Sequence, residues 1–167
     1  MRLSRSLFLL VFLACAVLMA IALFMEHVMG LLPCPLCMLQ RVAVIGVGVV
    51  ALLAALHNPA GRTGTSIYAG LVILLSAAGA ALASRQLWLQ SLPADQVPAC
   101  GPSVDYLLEA FPLMDVIMIA LQGTGDCAKV SWTFLGISIP GWTLFAFILF
   151  ACAMVYLLFR RLLAANQ

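Results

Sequence analysis

Apolar residues run almost unbroken through four stretches of this chain, and polar residues collect between them. The first stretch covers about residues 7–25 and carries no charge. The second covers about 38–56, with Arg41 near its start. The third covers about 67–83 and the fourth about 142–159. Each comes close to the roughly 20 residues a helix needs to cross a hydrocarbon core of about 30 Å. Backbone groups in lipid must be paired within their own segment, so helices are the expected form. The pattern predicts an all-α membrane protein: one integral domain over residues 1–167, a bundle of four transmembrane helices. Two segments of interest lie between the spans, about 26–37 and about 84–140. Pro93, Pro98, Gly101, Pro102 and Pro112 break the first half of the long one, which excludes a single long helix. Its apolar run from Phe111 to Leu121 is too short to span and predicts a short helix along the membrane surface. Gly123, Gly125 and Gly136 punctuate the return to the fourth span, and Pro140 stands where a first helical turn tolerates it.

Composition agrees with lipid as the main solvent. The chain has 167 residues, 65% hydrophobic and 8% charged, with mean hydropathy +1.17. A soluble domain carries about 25% charged residues. Net charge is +2 with no basic block, so nucleic acid is not an expected partner. Arg2, Arg5 and the Leu13-Ala14-Cys15 step give the first stretch a signal-like look. Its apolar run continues well past Cys15, too far for a signal core, and a retained helix is expected.

Charge sets the orientation. Arg2, Arg5, Arg62, Arg160 and Arg161 fall at one set of helix ends, with no acid among them. Glu26, Asp95, Asp105, Glu109, Asp115 and Asp126 fall on the other side, with Arg41, Arg85 and Lys129. A Lys/Arg excess marks the cytoplasmic side, so both termini are expected there. Segments 26–37 and 84–140 then face outward, where disulfides are permitted.

The six cysteines divide by depth. Cys15 and Cys152 lie inside spans and read as small buried apolar residues. Cys34, Cys37, Cys100 and Cys127 all fall on the outward side. Four cysteines allow three pairings; spacing favours 34–37 and leaves 100–127. A Cys-x-x-Cys pair is more often redox-active or metal-binding than a staple. Cys37 begins the second helix, where unpaired N–H groups favour a thiolate. Arg41 follows one turn later on the same face. It reads either as a positive charge for that sulfur and a bound quinone-type oxygen, or as a snorkelling interfacial arginine. A zinc site built from these cysteines and His27 is the rival, weakened by the absence of close ligand partners for Cys100 and Cys127.

In order along the chain stand His27-Val28-Met29, Pro33-Cys34-Pro35-Leu36-Cys37, Arg41, Trp88-Leu89-Gln90 with Pro93 and Cys100, Gly125-Asp126-Cys127-Ala128, Trp132, Phe134-Leu135-Gly136, Pro140 and Trp142. This ordered set resembles the disulfide bond formation protein B family, thiol:quinone oxidoreductases of the bacterial inner membrane, and the resemblance covers essentially the whole chain. It implies that Cys100–Cys127 takes electrons from a periplasmic thioredoxin-fold thiol oxidase (DsbA-like) through attack on Cys100. Freed Cys127 then attacks Cys34 and releases Cys37 beside Arg41, where a quinone, ubiquinone or menaquinone, takes the electrons. Some members carry a histidine just after the third helix. Here the stretch reads Ser84-Arg85-Gln86-Leu87, so Arg85 or Gln86 is expected to supply the polar contact. A partner near about −120 mV needs a still stronger acceptor, and a lipid-soluble quinone provides one. Three other readings compete: a vitamin-K-type epoxide reductase, a scaffold with stapling disulfides, and a transporter. The Gly125–Ala128 motif argues against the first, and the lack of carboxylates well inside the spans argues against the last.

Overall fold

The computed structural model describes residues 2–59, 61–93, 95–99, 101, 106 and 109–163. Cys100, Pro102 and Asp105, named above, lie outside them. Among the described residues, four apolar helices are long enough to cross a membrane: α1 (Arg2–His27), α2 (Pro35–His57), α3 (Arg62–Gln90) and α6 (Ile139–Leu163). Between α3 and α6 come α4 (Leu113–Gln122), the single turn α5 (Gly125–Ala128), and strands β1 (Thr133–Phe134) and β2 (Ile137–Ser138). The chain is thus the multi-pass four-helix membrane protein its apolar pattern predicts.

Each long helix buries one face in the bundle and shows an apolar face outward. Phe8, Val11 and Cys15 of α1 meet Val44, Val47 and Ala51 of α2, Ala69 and Val72 of α3, and Phe147, Phe150 and Met154 of α6 in one core. Leu10, Leu13, Val17, Ile21 and Phe24 of α1 remain exposed. In water such a surface would drive aggregation; in lipid it costs nothing. The helices close on small residues, as membrane helices do. Gly48 lies against Cys15, and Gly79 faces the tip of the Phe147 ring, where any Cβ would collide. α2 packs between α1 and α3, and α6 packs on α3. Arg161 donates to Ser4 Oγ at 2.8 Å, so the start of α1 and the end of α6 share one end of the bundle.

α3 runs beyond its apolar stretch. Hydropathy falls at Ser84, where the outward segment was expected to begin, yet the helix continues to Gln90. No proline or glycine interrupts it before Pro93, and solubility in lipid and helix formation are separate properties. Ser91 closes it, with Oγ donating to Trp88 O at 2.7 Å. The extra turns carry Arg85 and Gln86 to the base of the segment between α3 and α6.

α4 is the short surface helix. Val116 and Ala120 face the bundle, while Leu113, Met114, Met118 and Leu121 stay exposed. The β1–β2 hairpin has no counterpart among the predicted elements. Thr133 pairs with Ser138 and Phe134 with Ile137. Leu135 (φ 53°) and Gly136 (φ 78°) form its two-residue turn with both φ positive, the conformation that matches the twist of the strands. Trp142 Nε1 donates to Phe134 O at 3.2 Å and ties the hairpin to α6.

Candidate active site

The N-terminal end of α2 builds the site. Cys34 is its N-cap residue, in extended conformation, and Pro35 fills the first turn, where a missing N–H costs nothing. Cys34 Sγ accepts from the Cys37 N–H at 3.3 Å, so sulfur takes the role a serine oxygen often plays. The same geometry turns the two side chains together: Cys34 Sγ and Cys37 Sγ lie 2.6 Å apart. Cys34 is buried and Cys37 half-buried.

The segment between α3 and α6 brings in a third sulfur. Gly123 (φ 80°) sits so close to Leu89 that no side chain would fit, and the chain there turns directly into α5. Cys127, fully buried, packs with Cys34, Leu36 and Leu89 in a small cluster separate from the main core. Cys34 and Cys127 share that cluster, and the Cys34 thiol is the neighbour that acts most strongly on Cys127. Cys34 therefore has both Cys37 and Cys127 as sulfur neighbours. Gly125 N donates to Ala99 O at 3.0 Å, and Gly101 lies against Thr124. The two chain neighbours of position 100 thus pack beside the turn that holds Cys127.

Two buried amides complete the cluster. Gln86 Nε2 donates to Cys34 Sγ at 3.3 Å and to Cys37 Sγ at 3.2 Å. Gln40 Nε2 donates to Gln86 Oε1 at 2.7 Å. Arg85 is engaged elsewhere, donating to Gln122 O at 3.2 Å and lying over the Trp88 ring. Of the two expected polar candidates after α3, Gln86 is the one that touches the sulfurs. Gln40 and the sulfur contacts of Gln86 escaped the sequence reading. Their signal was available: Gln40 is a polar residue in an apolar helix, three positions from Cys37 and so on its face.

Arg41 faces α1. Its guanidinium forms an ion pair with Glu26 and donates to Ala22 O at 3.2 Å. The polar side chains that reach the Cys37 sulfur are Cys34 and Gln86. Glu26, grouped above only as one of the outward acids, is the partner of Arg41.

The shared protons are unequally held in the dithiol state. The neighbouring Cys127 sulfur, then that of Cys37, then burial push the Cys34 thiol far up. Cys127 is lowered to about 6, first by the Cys34 thiol; burial opposes this, and backbone hydrogen bonds from Leu36 and Thr124 assist it. The sign follows directly. A lowered thiol is thiolate above its pKa, so in the fully reduced protein Cys127 is charged above about pH 6 and protonates as pH falls through that value. The ultraviolet absorbance of thiolate should show a step near pH 6 that Cys127→Ser removes. Cys34→Ala should move that step upward. A Cys127 midpoint in the ordinary thiol range, about 8.5, would contradict this assignment.

Known proteins resemble this chain along nearly its full length. A family model described as disulfide bond formation protein DsbB matches residues 4–157. The disulfide bond formation protein B of Marinobacter nauticus is 60% identical over 158 residues, 95% of this chain and 94% of that protein. That of Hahella chejuensis is 57% identical over 158 residues, 95% of each. That of Stutzerimonas stutzeri is 55% identical over 157 residues, 94% of this chain and 96% of that protein.

Proposed function

The chain belongs to the disulfide bond formation protein DsbB family, membrane oxidoreductases of disulfide formation, and from that premise we propose that it reoxidises a periplasmic thioredoxin-fold dithiol oxidase and passes the electrons to a membrane quinone. The observation that carries this reading is the grouping of Cys34 with two other cysteines, Cys127 from the loop between α3 and α6 and Cys37 from the head of α2. A relay needs one sulfur that two others can reach in turn.

The steps balance as exchanges. A partner thiolate attacks Cys100 of the Cys100–Cys127 disulfide, and Cys127 leaves as a thiolate. Cys127 attacks Cys34, breaking Cys34–Cys37 and releasing Cys37 as a thiolate. The partner's second thiolate then takes back the mixed disulfide, freeing Cys100. Cys100 attacks Cys127, which restores the loop disulfide and frees Cys34. The net result is an oxidised partner and a reduced Cys34/Cys37 pair, which re-forms its disulfide on losing two electrons and two protons. The low affinity of Cys127 for its proton favours it both as leaving group and as nucleophile.

The donor set suits a quinone carbonyl. Cys37 is the most open of the three described site sulfurs, and the Gln86 amide beside it and the Arg41 guanidinium one turn along α2 are N–H donors. Arg41 would hold the oxygen; a bound ubiquinone or menaquinone supplies the sink for two electrons and two protons. In this reading both termini face the cytoplasm of a bacterial cell and the site faces the periplasm. It is supported by the five arginines assigned to one side and by the Arg161–Ser4 bond that joins the start of α1 to the end of α6 at one end of the bundle. The test is a membrane assay of the purified protein with a reduced thioredoxin-fold oxidase and each quinone in turn. Quinone-dependent oxidation of the partner is expected. Oxidation that proceeds equally without quinone, or not at all, counts against the proposal.

A further inference from the structure

We propose that Gln86 is a catalytic residue whose amide N–H groups hold charge on the Cys37 sulfur of the reduced Cys34/Cys37 pair, and that Gln40 is the positioning residue that favours the donor end of that amide facing the sulfurs. This deepens the redox reading of Cys34–Cys37 and rests on it. Gln86 and Gln40 are 3% and 4% exposed, and burying a polar amide costs free energy unless its groups are hydrogen-bonded. An amide offers an acceptor at one end and donors at the other, of nearly identical shape. Left alone, Gln86 could turn either end to the sulfurs. Pairing with Gln40 couples the two amides, so that they face one another in a single arrangement here. The Gln40 NH2 donates at 2.7 Å to the Gln86 oxygen, and the Gln86 NH2 is directed at both sulfurs.

The consequence is selective. A neutral Cys37 thiol reaches Gln86 Oε1 only at 3.6 Å, whereas Nε2 stands at 3.2 Å. Loss of the proton strengthens the N–H···S contact, since hydrogen bonds to a charged group are about twice as strong as neutral ones. Gln86 therefore stabilises the reduced pair more than the disulfide, which makes the pair more oxidising. An amide has no charge of its own to lose, so this hold does not depend on the protonation of Gln86.

The test isolates the pair. The full chain carrying Cys100→Ser and Cys127→Ser is equilibrated in detergent with graded ratios of reduced and oxidised glutathione. Two glutathione thiols supply the two electrons and two protons for Cys34–Cys37. The reduced fraction is read by thiol alkylation and mass. Gln86→Leu should lower the equilibrium constant for reduction about tenfold, a shift of about 30 mV. Gln86→Glu, which keeps the shape but replaces donors with a negative charge, should shift it in the same direction by at least as much. Gln40→Leu should give a smaller shift of the same sign and none on top of Gln86→Leu. An unchanged constant in Gln86→Glu, or a Gln40→Leu effect that persists without Gln86, overturns the proposal. If Gln86→Leu does not fold, Gln86→Glu alone decides. A parent pair that cannot be reversibly reduced at all overturns the redox reading itself, and this proposal with it.

Discussion

Cys37→Ser abolishes quinone reduction by a reduced dithiol protein, with turnover falling by more than about 10³-fold, the scale on which loss of an essential nucleophile acts. Serine fills nearly the same space at the first turn of α2, so the bundle is left intact. Cys34 keeps Cys127 beside it but has lost the sulfur that closes its disulfide. Electrons from the loop then have no onward path. Cys34 instead captures Cys127 from the loop disulfide and frees Cys100. Turnover within a few-fold of the parent would mean that Cys37 is not the exit sulfur, and the relay as written would fail.

Arg41→Ala separates the two half-reactions. The quinone step should slow by about 10–100-fold, the value of one hydrogen bond to a group that gains charge, about 1.5–3 kcal/mol. Exchange with the partner's thiols should stay within a few-fold, because Cys127 meets Cys34 through α5 and Leu36, away from Arg41. The ion pair with Glu26 requires a control, since removing the arginine strands a half-buried carboxylate. Glu26→Gln leaves the guanidinium in place and should preserve the quinone step. Equal loss in both half-reactions of Arg41→Ala, or loss in neither, contradicts the role assigned to Arg41.

Much of this was legible in the sequence because lipid imposes a simple rule. Long apolar runs must be helices, and four of them give the bundle. Cys34 and Cys37 were legible through spacing, since a proline after Cys34 and an apolar run after Cys37 fix the pair at the head of a helix. The end of α3 was not legible. Hydropathy marks where lipid stops, and Ser84-Arg85-Gln86 leaves lipid without leaving the helix. The hairpin was missed because its tip places Leu135, not asparagine or glycine, at positive φ, so no turn signal precedes Gly136. Arg41 was read from helical spacing toward Cys37. Spacing within one helix cannot reveal that Glu26 and Ala22, on another helix, take the guanidinium. The same limit hid the amide pair, because Gln40 and Gln86 meet only once α2 and α3 are packed. The partner-facing role of Cys100 rests on the family pattern and on the packing of Ala99 and Gly101, since the residue itself lies outside the described ones.

The central claim is that Cys34 is the junction at which a loop sulfur and a membrane-side sulfur trade electrons. Disulfide-linked peptides mapped by mass spectrometry test it most directly, after a single turnover with reduced partner is stopped by acid at successive times. A peptide joining Cys127 to Cys34 should appear and decay in the parent and accumulate in Cys37→Ser. Its absence at every time while turnover proceeds, with only Cys34–Cys37 and Cys100–Cys127 links found, would contradict the account.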